Sequence, residues 1–156
     1  MIDIKLLEQL CLCNGISGDE GNVRNLIINE IKDCADDIKT DNLGNLIVFK
    51  KGKKSAKSKL MVSAHMDEVG LMVTDITSDG YLKFDEVGGI DRRVLPGKRV
   101  CVGRNGLNGV IGVKPIHLTN GDEKTAVPKM NDMYIDIGAE SREDALKYVN
   151  YGDGIN

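Results

Sequence analysis

The stretch KLMVSAHMDEVGLMV, residues 59–73, sets an apolar run against a histidine, an aspartate and a glutamate within four positions. Leu60, Met61 and Val62 form the continuous apolar run of a strand covered on both faces, so Lys59 to Ala64 is predicted as a short buried strand. Burying an unpartnered imidazole or carboxylate costs on the order of several kcal/mol. His65, Asp67 and Glu68 therefore belong where the strand leaves the core, with a metal, a substrate or one another to satisfy them. In sheets built with helices, ligand sites gather at the carboxyl ends of strands, and these three residues fall at such an end.

The chain around this stretch has 156 residues, 41% of them hydrophobic, which suits one domain or two small ones with a core. A net charge of -3, 4% aromatic residues and no Trp give no footprint for nucleic acid or a membrane surface. The amino terminus shows no charged region followed by an apolar one, and no apolar stretch approaches the roughly 20 residues of a membrane span, so a cytoplasmic location is expected. The cysteines at 11, 13, 34 and 101 contain no CxxC pair. Reduced, mostly buried thiols are expected of them, a metal or redox role being the alternative.

Before the quoted stretch, DIKLLEQLCLC (3–13) places Ile4, Leu6, Leu7 and Leu10 at helical spacing with Gly15 as the stop. Ser17 to Glu20, SGDE, has the form of a capping box for a second helix whose apolar face is Val23, Leu26, Ile27 and Ile31. Residues 38–50 then read as two strands about a tight connection at Asn42 and Gly44. The lysine-rich KKGKKSAKSK that follows is read as a solvated loop rather than an anion site.

Beyond Asp67 come short β-rich runs, VGLMVTDIT, YLKFDEV, KRVCVG, LNGVIGVKP and MYIDIG, separated by turns such as Ser78-Asp79-Gly80 and Leu95-Pro96-Gly97. They predict a compact barrel or sandwich. SREDALKYVN, opening on Ser141 as N-cap, predicts a helix ending near Gly152. The Asp91-Arg92-Arg93 triplet is read as a charged turn, with an anion-binding guanidinium pair as the alternative.

The segments GISGDEGNVR (15–24), DNLGNLIV (41–48), SAHMDEVGLMV (63–73), GVIGVKPIHL (109–118), MYIDIGAESREDA (133–145) and YGD (151–153) occur in a recognisable order. They resemble the dinuclear metallo-aminopeptidases called glutamyl or deblocking aminopeptidases. Some members assemble into tetrahedral particles, and some carry the older label endoglucanase or cellulase M. The resemblance spans nearly the whole chain, and AHMDEVG is its most specific segment.

This resemblance implies an α/β fold in two parts. Residues 1–68 would be the amino-terminal part of the catalytic domain, a partial mixed sheet with flanking helices. Residues 69–150 would be an inserted, small, barrel-like, PDZ-like dimerisation domain, and residues 151–156 the start of a return to the catalytic domain. The family's site holds two divalent metal ions, zinc or cobalt, bridged by a water or hydroxide that attacks a peptide carbonyl. His65 resembles a metal ligand, and Asp67, among the catalytic residues, resembles the carboxylate that orients its imidazole. Glu68 is a candidate supporting carboxylate at the strand end. His117, the other histidine, is a structural loop residue or one presented near an active site or interface, a partner subunit's included.

Members of the family run to about twice this length, and the other half would hold the bridging aspartate, a Glu-Glu pair with the general base, a further acidic ligand and the last histidine. With those missing, the chain alone is expected to bind at most one metal weakly and to show little or no activity. Three functions follow from these observations. The first is a peptide-hydrolysing, homo-oligomeric aminopeptidase of this family. The second is a noncatalytic assembly module. The third is an endoglucanase, which needs paired carboxylates and usually aromatic stacking surfaces that a chain without Trp and with two Phe does not supply.

Overall fold

The computed structural model describes residues 3–54, 58–115 and 127–156. The chain forms two compact units, residues 1–68 and 69–156.

The first unit is a pair of helices and a two-stranded hairpin. Helix α1, Ile4–Cys11, is capped by Asp3, whose carboxylate accepts from the N–H groups of Lys5 and Leu6. Helix α2 is Gly21–Ile31. Strands β1, Asp37–Thr40, and β2, Leu46–Phe49, pair antiparallel in the register Asp37 to Phe49 and Thr40 to Leu46. Asp41 builds their connection: Oδ1 accepts from Leu43 N and Asn45 N, both at 2.9 Å, and Oδ2 from Asn45 Nδ2. That side chain mimics a turn of backbone, while Gly44 supplies the left-handed residue at φ 88°. Asn45 first, then the loop amides, hold the Asp41 carboxyl below the usual carboxylate range.

Little of this unit's apolar surface is covered. Ile16 and Val23 are its buried apolar side chains among the described residues. The buried strand expected at Lys59 to Ala64 does not form: these residues have no regular secondary structure, with Leu60, Met61 and Val62 92%, 86% and 86% exposed. A run apolar on both sides needs neighbours on both faces to leave water, and the described residues offer none. The cysteines are free, with Cys11 and Cys34 exposed and Cys13 and Cys101 half-buried, against the burial expected of them. The same shortage of cover explains Cys11, since α1 buries no residue.

The second unit is a closed six-stranded antiparallel barrel in the order β3-β4-β7-β6-β5-β8. Its strands are β3 Gly70–Ile76, β4 Leu82–Val87, β5 Arg99–Val102, β6 Leu107–Val113, β7 Met133–Asp136 and β8 Gly154–Ile155. The β-rich runs read from the sequence become these strands. Alternation places Leu71, Val73, Ile76, Leu82, Phe84, Val100, Val102, Ile111, Met133, Ile135 and Ile155 inside, where burial stabilises by about 1.5–3 kcal/mol for each large aliphatic side chain. Closure removes the free strand edges that would otherwise pair with other chains. Residues 154–155, within the stretch expected to begin a return to the first unit, form β8 and pair with both β3 and β5.

Two glycines allow the close approaches. Gly80 turns β3 into β4 at φ 84°, where a Cβ would lie 2.6 Å from Ala139 O. A Cβ on Gly112 would enter the ring of Tyr134, which tilts against Tyr81 with centroids 4.8 Å apart. Helix α3, Arg142–Ala145, starts at its expected cap, Ser141 Oγ accepting from Asp144 N, but ends earlier than expected. The chain then turns so that Val149 enters the barrel core. The Asp91 triplet is a capped 3-10 turn, with Arg93 forked on Asp91 and Arg92 on Glu86 at 2.7 Å, so both guanidiniums are engaged within the chain. No helix among the described residues is long and apolar enough to cross a membrane.

Candidate functional site

Residues 65–68 follow the exposed apolar run and are held by the loop between α1 and α2. Glu68 N donates to Gly15 O at 2.8 Å and Ser17 N to Glu68 O at 3.3 Å, a one-rung parallel bridge between Ile16 and Glu68. Gly15 allows this loop to sit close to α2: a Cβ there would collide with the side chain of buried Val23.

The bridge presents His65 and Asp67 together. His65 Nδ1 lies 2.8 Å from the main-chain oxygen of Asp67 and 3.3 Å from its Oδ1. A carbonyl oxygen only accepts, so this contact places the proton on Nδ1 and leaves the Nε2 lone pair available. The His65 side chain is 85% exposed and that of Asp67 39%. On its other oxygen, Oδ2, Asp67 accepts a short hydrogen bond from the Ser17 hydroxyl. That bond, aided by His65 and opposed by desolvation, holds the Asp67 carboxyl below the usual carboxylate range.

Ser17 is the residue that sequence reasoning misplaced. Its hydroxyl was expected to cap α2, yet the N-cap of α2 is Glu20, with no side-chain cap bond, and Glu20 Oε1 instead accepts from Gly18 N at 2.6 Å. The local pattern could not show a partner fifty residues away. The one nearby hint is Gly18, whose φ of 93° turns the chain before the helix. Glu68 contributes its backbone to the bridge and is itself exposed. His117 lies outside the described residues.

His65 and Asp67 stand beside an open groove of about 660 Å³ walled by the 43–48 segment and the 61–67 segment, with Glu20 and Asp41 also on its margin. Glu20 and Asp41 are engaged in their own turns. Among the described residues no three His, Cys, Asp or Glu side chains gather to hold a metal ion. Among the described residues one outward imidazole is therefore what the chain offers a metal, and those residues do not fit a complete mononuclear or dinuclear centre.

A family model for M42 glutamyl aminopeptidases matches residues 44–156. A provisionally named aminopeptidase of Acetivibrio thermocellus is 49% identical over 148 residues, which is 95% of this chain and 42% of that protein. Among solved structures, a Thermotoga maritima protein described as an endoglucanase superposes with a TM-score of 0.83 at 45% identity, over 96% of this chain and 43% of its own. The TET1 peptidase of Pyrococcus horikoshii, described as able to assemble into a tetrahedron or a large octahedral shell, superposes with a TM-score of 0.83 at 46% identity. That match covers 97% of this chain and 45% of the peptidase. The chain thus spans less than half the length of the relatives it matches.

Proposed function

The chain belongs to the M42 glutamyl aminopeptidase family, and we propose that it serves the metal-dependent removal of amino-terminal residues from peptides, with His65 as a metal-ligand position. The observation that carries this reading is the His65–Asp67 pair at the end of AHMDEVG, inside the matched region. Its imidazole is oriented through Nδ1 by the oxygens of Asp67, leaving Nε2 outward, the usual arrangement behind a metal-bound histidine. When bound, divalent metal would supply an activated water and a polarised carbonyl. This chain's own part is to hold one imidazole in a fixed orientation, and Asp67 acts as the positioning carboxylate. Glu68 supports the same end through its main chain.

Two metal ions, zinc or cobalt, a peptide substrate, a cytoplasmic location and a homo-oligomer remain part of the proposal for the whole protein. The assembling peptidase among the structural neighbours supports the last. Within it, residues 1–68 belong to the catalytic domain and the barrel from residue 69 is the PDZ-like dimerisation domain. The second reading, a noncatalytic assembly module, draws on one specific contrast: the barrel is closed around a full core, whereas the first unit buries only Ile16 and Val23 among its described apolar residues. The endoglucanase reading draws on labels of structural neighbours, the Thermotoga maritima protein among them.

Zinc titration of the chain with nitrogen-15 histidine tests the ligand assignment. Zinc should perturb His65 Nε2 selectively and weakly, and the response should vanish in His65→Ala. An unperturbed His65, or binding that survives His65→Ala, would overturn the assignment. A stoichiometric submicromolar site lost in that variant would instead reveal further ligands in the chain.

A further inference from the structure

We propose that Ser17 is a positioning residue that acts through Asp67 to keep the His65 imidazole protonated on Nδ1 with its Nε2 lone pair outward. The inference rests on the reading of His65 as a ligand position.

Ser17 has a local use available and does not take it. Serine three residues before glutamate ordinarily caps a helix, a contact worth about 0.5–2 kcal/mol. Here the hydroxyl turns away from α2 and donates to Asp67 Oδ2, while Glu20 takes the Gly18 N–H. The backbone leading into Ser17 is tied to the same target segment, Gly15 O accepting from Glu68 N and Ser17 N donating to Glu68 O. Three contacts from residues 15–17 therefore converge on residues 67–68, and the serine hydroxyl is the side-chain member of the set.

The consequence for His65 follows from the two oxygens of one carboxylate. With Oδ2 held by Ser17, Oδ1 faces His65 Nδ1 at 3.3 Å, beside the Asp67 main-chain oxygen that accepts from it at 2.8 Å, so its negative charge favours the proton on that nitrogen. Without the hydroxyl, the carboxylate is free about its broad terminal torsion. The imidazole, largely in water, then keeps only the main-chain acceptor. Water favours the opposite neutral form, with the proton on Nε2, which blocks the nitrogen a ligand would need. Which nitrogen carries the proton is set by what the other one meets.

The test uses the metal-free 156-residue chain with nitrogen-15 imidazoles in mildly alkaline buffer, so its outcome does not depend on whether zinc binds. Long-range proton–nitrogen correlation spectra should show the Nδ1–H form of His65 in the parent. Ser17→Ala leaves the main-chain acceptor in place and should lower the Nδ1–H fraction in favour of Nε2–H, and Ser17→Thr, which retains a hydroxyl, should restore the parent spectrum. A Ser17→Ala chain that keeps the parent Nδ1–H fraction would overturn the proposal. Should Ser17→Ala lose the amide dispersion of residues 15–31, Asp67→Ala decides instead: a fall in the Nδ1–H fraction supports the relay, and an unchanged fraction refutes it.

Discussion

Truncating Ile135 to alanine should destabilise the second unit far more than any apolar truncation in residues 60–62. Ile135 is fully buried in β7, opposite Leu82 of β4 and Ile111 of β6. Removing its three outer carbons forfeits about 0.8 kcal/mol each, and the closed barrel limits collapse into the space, so about 3–4 kcal/mol is expected. For a unit of this size that lowers Tm by on the order of 15 °C. The assay is built in: there is no Trp, and all four tyrosines lie between residues 81 and 151, so tyrosine emission during urea unfolding reports the barrel. Val62→Ala, at an exposed side chain, should leave that transition within about 0.5 kcal/mol. An Ile135→Ala loss below about 1 kcal/mol, or an equal loss from Val62→Ala, would refute the assignment of the core to the barrel.

Acid stability should carry a signature of Asp91, whose carboxyl Arg93 holds down from 3.8 to about 2. A depressed folded-state pKa stabilises above the unfolded value and is lost as pH falls through the folded one, so Asp91→Asn should flatten the stability profile between about pH 4 and 2, read by urea midpoints. In light scattering coupled to size exclusion, the chain should run as at least a dimer, because Leu60, Met61, Val62 and the outer side chains of β2 leave apolar surface in water. A monodisperse monomer across a wide concentration range would contradict that.

What was legible depended on how local its cause was. The barrel strands announced themselves because alternation in runs such as YLKFDEV and turn signals such as Ser78-Asp79-Gly80 act within a few residues. The turn between β1 and β2 was visible for the same reason at Asn42 and Gly44, although Asp41, whose carboxylate builds it, was not singled out. Lys59 to Ala64 was misread because its apolar run specifies a need for cover without supplying it, and burial is decided by residues elsewhere. The shortening of α3 reflects the pull of the barrel core on Val149, a long-range demand that helical spacing does not encode. At the candidate site, His65 and Asp67 are two apart and their contact could be anticipated. Ser17 could not, since a competing local role masked a partner in the next part of the chain.

The proposed function gives this chain one ligand position, His65, with no cluster of further ligands among the described residues. The most direct measurement is release of amino acids from peptides and aminoacyl-anilides by the purified chain, with zinc and with cobalt added. Among the described residues no cluster of ligands accompanies His65, so turnover should not rise above the metal-only background. Turnover that survives purification and disappears in His65→Ala would contradict the claim and place a working centre within these 156 residues.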